Sequence, residues 1–128
     1  MESRELSVEK RSTLGDRAEE VASRHLQRAG LEVIGRNVVV ESHEIDIVAL
    51  DGSCLCFVEV RSRRSKTQVN PLETLTSSKI RRLRRAAELY LAYHGDNFAW
   101  DACRFDVIGV TFEPELNLHW CKEAFETC

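Results

Sequence analysis

Residues 44–61 read E-I-D-I-V-A-L-D-G-S-C-L-C-F-V-E-V-R. Two β-rich runs, Glu44–Leu50 and Leu55–Arg61, flank Asp51-Gly52, a dipeptide that favours two-residue hairpin loops. The stretch predicts an antiparallel hairpin. Successive strand side chains alternate between faces, so Glu59 and Arg61 project together, opposite Val58 and Val60. A tight turn at Asp51-Gly52 pairs Leu50 with Ser53, Val48 with Leu55, Asp46 with Phe57 and Glu44 with Glu59. That register puts Glu44, Asp46, Glu59 and Arg61 on one face, with Asp46 diagonal to Glu59. A slip of one residue would separate the acids of the two strands, so any site here depends on register.

Before the hairpin, Leu14, Ala18, Val21, Ala22, His25, Leu26 and Ala29 recur at helical spacing. Thr13 caps the start of this helix and Gly30 closes it. Glu20 falls on its solvent side, while Glu19 lies at the border of the apolar stripe, where it can reach a neighbouring element. His25 sits within the stripe and reads as a half-buried packing residue. Leu31–Val40 is a further strand. After the hairpin, Ser62–Pro71 reads as a polar, basic loop, and Leu72 to about Tyr93 as one or two helical pieces broken near Thr76–Ser78. Ile80, Leu83, Ala87, Tyr90 and Leu91 form the apolar stripe of the longer piece, which Gly95 ends. Arg104–Thr111 is a strand, Glu113–Leu116 turns around Pro114, and Leu118–Phe125 is a short strand or helix.

At 128 residues, with 43% hydrophobic and 30% charged residues, the chain predicts one soluble globular domain, 13–128, behind a flexible segment, 1–12. No apolar run approaches the roughly 20 residues that span a bilayer. The opening MESRELSVEKRS lacks the apolar core of a secretory signal, which makes the cytoplasm the expectation. Five cysteines, with no Cys-x-x-Cys, point to neither a zinc ribbon nor a thioredoxin-type site. Cys54 and Cys56 face away from Glu59 and read as small core hydrophobes. Cys128, at the terminus, reads as exposed.

The net charge of −3 is unevenly spread. From Arg61 to Arg85 there are nine bases and one acid, Glu73, a local balance of +8 against −11 for the rest. A basic surface on an acidic molecule suggests a polyanionic partner. Its components are Arg63, Arg64, Lys79, Arg81, Arg82, Arg84 and Arg85. Beside them stand Glu19, Asp46, Glu59 and Arg61. Carboxylates a few ångströms apart repel unless a proton or a cation joins them. Such oxygen-rich clusters suit Mg²⁺ or Mn²⁺, which keep several waters and bind a substrate phosphate. Together these features describe a metal-dependent nuclease. An outward-facing polar sheet with an arginine-rich surface helix accounts for the same residues without chemistry. The stretch H-E-I-D is no zinc-protease helix motif, because Ile47 stands where a second histidine is needed.

The order of motifs resembles the YraN-like family, uncharacterised protein family 0102. The matching blocks are L-G-x-x-A-E-x-x-A in the first helix, Asn37 before the hairpin, E-I-D-I-V-A-L-D-G, F-V-E-V-R-S-R, K-I-R-R-L-R-R-A-A-E-L-Y-L and R-F-D-V-I-G-V. The resemblance runs from about Leu14 to Phe125. It implies a restriction-endonuclease-like PD-(D/E)XK fold, an α/β architecture with a central mixed sheet flanked by helices, similar to Holliday-junction resolvases. It further implies a helical acid at Glu19, metal ligation by Asp46 and Glu59 with Glu19 completing the shell, and a supporting role for Glu44. The basic catalytic position falls on Arg61, where the family pattern usually has lysine. Ala18 and His43 replace glycines beside Glu19 and Glu44. The implied function is Mg²⁺- or Mn²⁺-dependent DNA cleavage, and the likeness to resolvases extends the expectation to branched or structured DNA and a homodimer. The alternatives are a nucleic-acid-binding module that keeps the fold without turnover, and a structural or protein-interaction domain.

Overall fold

The computed structural model describes residues 13–65 and 71–125, so the expectations for segment 1–12 and for Cys128 lie outside the described residues. Helix α1, Leu14–Arg28, starts where Thr13 and Asp16 close a reciprocal capping box. That box satisfies two of the orphan donors of the first turn. Gly30, at φ 98°, takes the left-handed conformation that turns the chain out of the helix. Strands β1 (Glu32–Val40), β2 (His43–Asp51) and β3 (Cys54–Ser65) follow. A short 3₁₀ turn, Pro71–Thr74, precedes α2, Ser77–His94, whose first turn Thr76 caps by accepting the Lys79 N–H. Strands β4 (Ala102–Glu113) and β5 (Asn117–Phe125) complete the chain.

The five strands form one mixed sheet in the order β1-β2-β3-β4-β5. Only β3 and β4 run parallel, and α2 lies in the connection between them. Each face of the sheet carries one helix. Ala18, Ala22 and Leu26 of α1 pack on Ile47, Ala49, Cys56, Val58 and Ile108. Ala86, Ala87, Leu89 and Tyr90 of α2 pack on Val48, Leu55, Phe57 and Phe105. The alternation along β3 thus serves two cores, and Cys56 is a buried core residue as expected. His25 packs edge-on against Trp120, again as expected.

Three expectations change. First, the hairpin turns on Gly52-Ser53, not on Asp51-Gly52, because Asp51 pairs with Cys54. Gly52 has φ 62° and Ser53 has no positive φ. Only the first loop position thus needs glycine, the preference of a type II′ hairpin turn. The register moves by two residues, so the faces are kept while the partners change. Secondly, β3 runs on to Ser65, so residues 62–65, expected as the start of a loop, are strand, and residues 66–70 lie outside the described residues. Its long parallel ladder with β4 holds this polar stretch extended. Thirdly, Leu118–Phe125 is strand, because pairing with β4 decides what its local pattern left open.

Gly109 shows how closely the 3₁₀ turn lies on the sheet. It pairs with Arg61 across the parallel ladder, and a Cβ added to it would run into the ring of Pro71. Gly109→Ala is expected to cost about 1–3 kcal/mol through this overpacking. Urea denaturation reads the loss, and an unchanged midpoint would mean that the turn yields freely.

Candidate metal and nucleic-acid site

The site begins where β2 and β3 part. Their ladder runs from Asp51–Cys54 to Ile47–Val58, and one further step along it brings Asp46 opposite Glu59. The two acids face each other directly, in place of the diagonal relation expected from the earlier register. On the other side, β1 pairs Arg36 with Ile47 and Val38 with Ile45, which sets Asn37 opposite Asp46. Asn37 has φ 50°, a left-handed conformation that asparagine tolerates better than most residues. Asp46 Oδ2 accepts a hydrogen bond from the Val60 N–H at 2.8 Å. The side chain takes the donor that a continuing ladder would have used, and so opens a gap in the sheet.

Burial, the negative charge of Glu59 and a hydrogen bond to it push the Asp46 carboxyl up to about 8, against the opposing Val60 N–H. A carboxylic acid therefore keeps its proton near neutral pH in the absence of a cation. Glu59 is 8% exposed. Its Oε2 lies 3.2 Å from Lys79 Nζ and 3.4 Å from an Arg61 guanidinium nitrogen. Arg61 is also tied elsewhere: its Nε donates to Thr74 Oγ1 at 2.9 Å, and that hydroxyl donates to the Pro71 carbonyl.

A cleft of about 320 Å³ is lined by Ser42, His43, Glu44, Asp46, Glu59, Lys79, Arg82 and Leu83. Glu44, expected as a supporting acid, is on its exposed rim. Glu19 reaches this region from the α1 side. Its charge helps to raise Asp46, and its own carboxyl is raised chiefly by burial, with Glu44 adding to it and an Asn37 hydrogen bond opposing. Glu19 Oε1 is buried without a hydrogen-bond partner among the described residues. Glu20 instead bridges Arg24 and Arg36 on the outer side of α1.

Among the described residues, no three His, Cys, Asp or Glu side chains are grouped closely enough to enclose an ion by themselves. Mg²⁺ does not require such a cage, because one or two carboxylates, waters and substrate phosphates suffice. The Asp46–Glu59 pair, in which burial and the facing Glu59 charge raise Asp46 to about 8, fits that donor set. The orphaned Glu19 oxygen lies near enough to influence it electrostatically.

The basic residues divide. Lys79 and Arg82 line the cleft, and Arg81 is exposed on the same helix. Arg84 lies over the Phe125 ring, and Arg85 pairs with Glu88. Arg64 lies 3.8 Å from Glu113 and lines a separate groove beside α1 with Arg17 and Phe112. Arg63, one residue earlier, points to the opposite face by strand alternation. The contact between Lys79 and Glu59 was not foreseen from the sequence. Its signal was there: Lys79 extends the apolar stripe Leu83–Ala86–Tyr90 by one turn, on the face that meets the sheet.

No helix among the described residues is long and apolar enough to cross a membrane. A sequence model described as Uncharacterised protein family UPF0102 matches residues 18–110. A UPF0102 protein of Chlorobium chlorochromatii is 43% identical over 111 residues, covering 87% of this chain and 79% of the relative. UPF0102 proteins of Stutzerimonas stutzeri and Yersinia pseudotuberculosis are 40% and 41% identical, each covering 88% of this chain and 94% of the relative.

Proposed function

The chain belongs to uncharacterised protein family UPF0102, and we propose that it is a divalent-metal-dependent DNA endonuclease of the PD-(D/E)XK type. One observation carries the reading. Asp46 and Glu59 face each other in a gap between two strands, in a cleft that also holds Lys79 and Arg82. Asp46 and Glu59 would hold Mg²⁺ or Mn²⁺, with Glu19 orienting the pair from the helix behind. The ion, when bound, would acidify a water and offset charge on the phosphodiester. Asp46 yields its proton on binding, held in place by the Val60 N–H. Arg82 and Arg81 meet the phosphate backbone, with affinity that falls as salt rises.

A binding module without turnover is the second reading. It is favoured by Arg61, which stands at the usual lysine position and is tied to Thr74. Cleavage of supercoiled plasmid and branched DNA with Mg²⁺ or Mn²⁺ separates the two, comparing wild type with Asp46→Ala and Glu59→Ala. Equal activity in all three removes the site. Salt-sensitive binding without any cleavage supports the module.

A further inference from the structure

Resting on the nuclease reading above, we propose that Lys79, and not Arg61, is the catalytic cation that meets the scissile phosphate. Arg61 follows Glu59 by two residues in β3, but its guanidinium is spread between Glu59 and the Thr74 hydroxyl. Thr74 is itself fixed to the Pro71 carbonyl, and Pro71 lies against Gly109. Arg61 thus clamps the 3₁₀ turn onto the sheet, and it is not among the residues lining the cleft. Lys79 lines that cleft, with its Nζ 3.2 Å from Glu59 Oε2.

Two features suit Lys79 to the task. Its backbone is fixed, because its N–H donates to the capping Thr76 hydroxyl at 3.1 Å. Its side chain is 32% exposed, so a phosphate can approach the ammonium from solvent. An ammonium is a compact charge on a flexible stem, able to leave Glu59 when a divalent ion takes that carboxylate. A forked guanidinium already shared with a turn is not. In hydrolysis, the oxygen of water bonds to phosphorus and one bridging P–O bond breaks. One water proton ends on the leaving oxygen and the other on the new phosphate monoester or in solvent. Lys79 gives no atom to this reaction and offsets the negative charge that grows on the phosphate oxygens.

The test is Mn²⁺-dependent cleavage of supercoiled plasmid by wild type, Lys79→Gln, Lys79→Arg and Arg61→Gln, each checked for folding by thermal melting. Lys79→Gln is expected to lose about 100-fold or more in kcat at similar KM, the size of loss typical for one positioned charge-stabilising group. Lys79→Arg should regain part of that rate. Arg61→Gln should lower the melting temperature and cost less in kcat than Lys79→Gln. A wild-type kcat in Lys79→Gln, or a loss confined to KM, overturns the role of Lys79 and leaves the nuclease reading standing. A wild type that binds DNA but cleaves it with neither Mg²⁺ nor Mn²⁺ overturns both.

Discussion

Asp46→Asn is expected to abolish metal-dependent cleavage, by about 10³-fold or more, while the protein stays folded. Charge stabilisation and the generation of a nucleophile would be lost together, and single components of such sites are commonly worth 10²- to 10³-fold each. The amide still offers Val60 an acceptor but carries no charge for a cation. The same residue sets the pH dependence. Asp46 is raised to about 8 in the fold, from an ordinary value near 3.8. Between those limits the folded state holds a proton that the unfolded chain has released, so stability falls as pH rises through this window. Above about 8 Asp46 brings a negative charge to face Glu59, which the Lys79 and Arg61 cations beside Glu59 offset only in part. Asp46→Asn should therefore melt higher than wild type at pH 9, with the difference shrinking toward pH 5. Metal binding must expel the proton, so the apparent Mn²⁺ affinity should climb by up to about tenfold per pH unit below pH 8. Calorimetric titrations at pH 6, 7 and 8 read this directly. An affinity flat across that range would mean that Asp46 is already ionised or is no ligand.

Asp106→Ala should give the largest loss of stability, at a residue outside the cleft. Asp106 is 1% exposed. It accepts hydrogen bonds from Arg104 Nε at 2.9 Å, Trp120 Nε1 at 3.0 Å and the Glu123 N–H at 3.0 Å. Arg104 reaches on to Asp51 at 3.0 Å, tying the hairpin end to β4. The Glu123 bond holds a residue at φ 49°, opposite the register shift between Phe105 and Val107. Removing the carboxylate leaves a half-buried guanidinium half paired and two donors without partners. Breaking a buried ion pair from one side typically costs about 3–5 kcal/mol. In a domain of this size that is roughly 10–20 °C in Tm. Asp106→Asn keeps an acceptor and should fall between the two. A fall of under about 3 °C for Asp106→Ala would show that β5 does not depend on this anchor.

Much of this was legible because alternation and helix spacing are local. Glu59 and Arg61 had to share a strand face, Thr13 had to cap a helix, and Cys56 had to face away from the acids. The pairing of Asp46 with Glu59 was legible only as a shared face. The observed register differs by two residues, and an even shift preserves faces while changing neighbours. Asp51-Gly52 and Gly52-Ser53 are equally good turns by composition, so which one closes the hairpin is left to the packing of both strands on the two cores.

The sequence by itself determined the two helices, the first four strands up to their ends, the acids on one hairpin face and a basic run after them, since each follows from periodicity and residue chemistry along the chain. Tertiary structure alone brought a second cation, Lys79, to Glu59 beside Arg61. Arg61, two residues away in the chain, divides its guanidinium between Glu59 and Thr74, whereas Lys79, twenty residues away, is delivered to the carboxylate by the packing of α2. Ion pairs form between charges that the fold brings within a few ångströms, and no sequence spacing encodes that distance once the chain has turned back on itself.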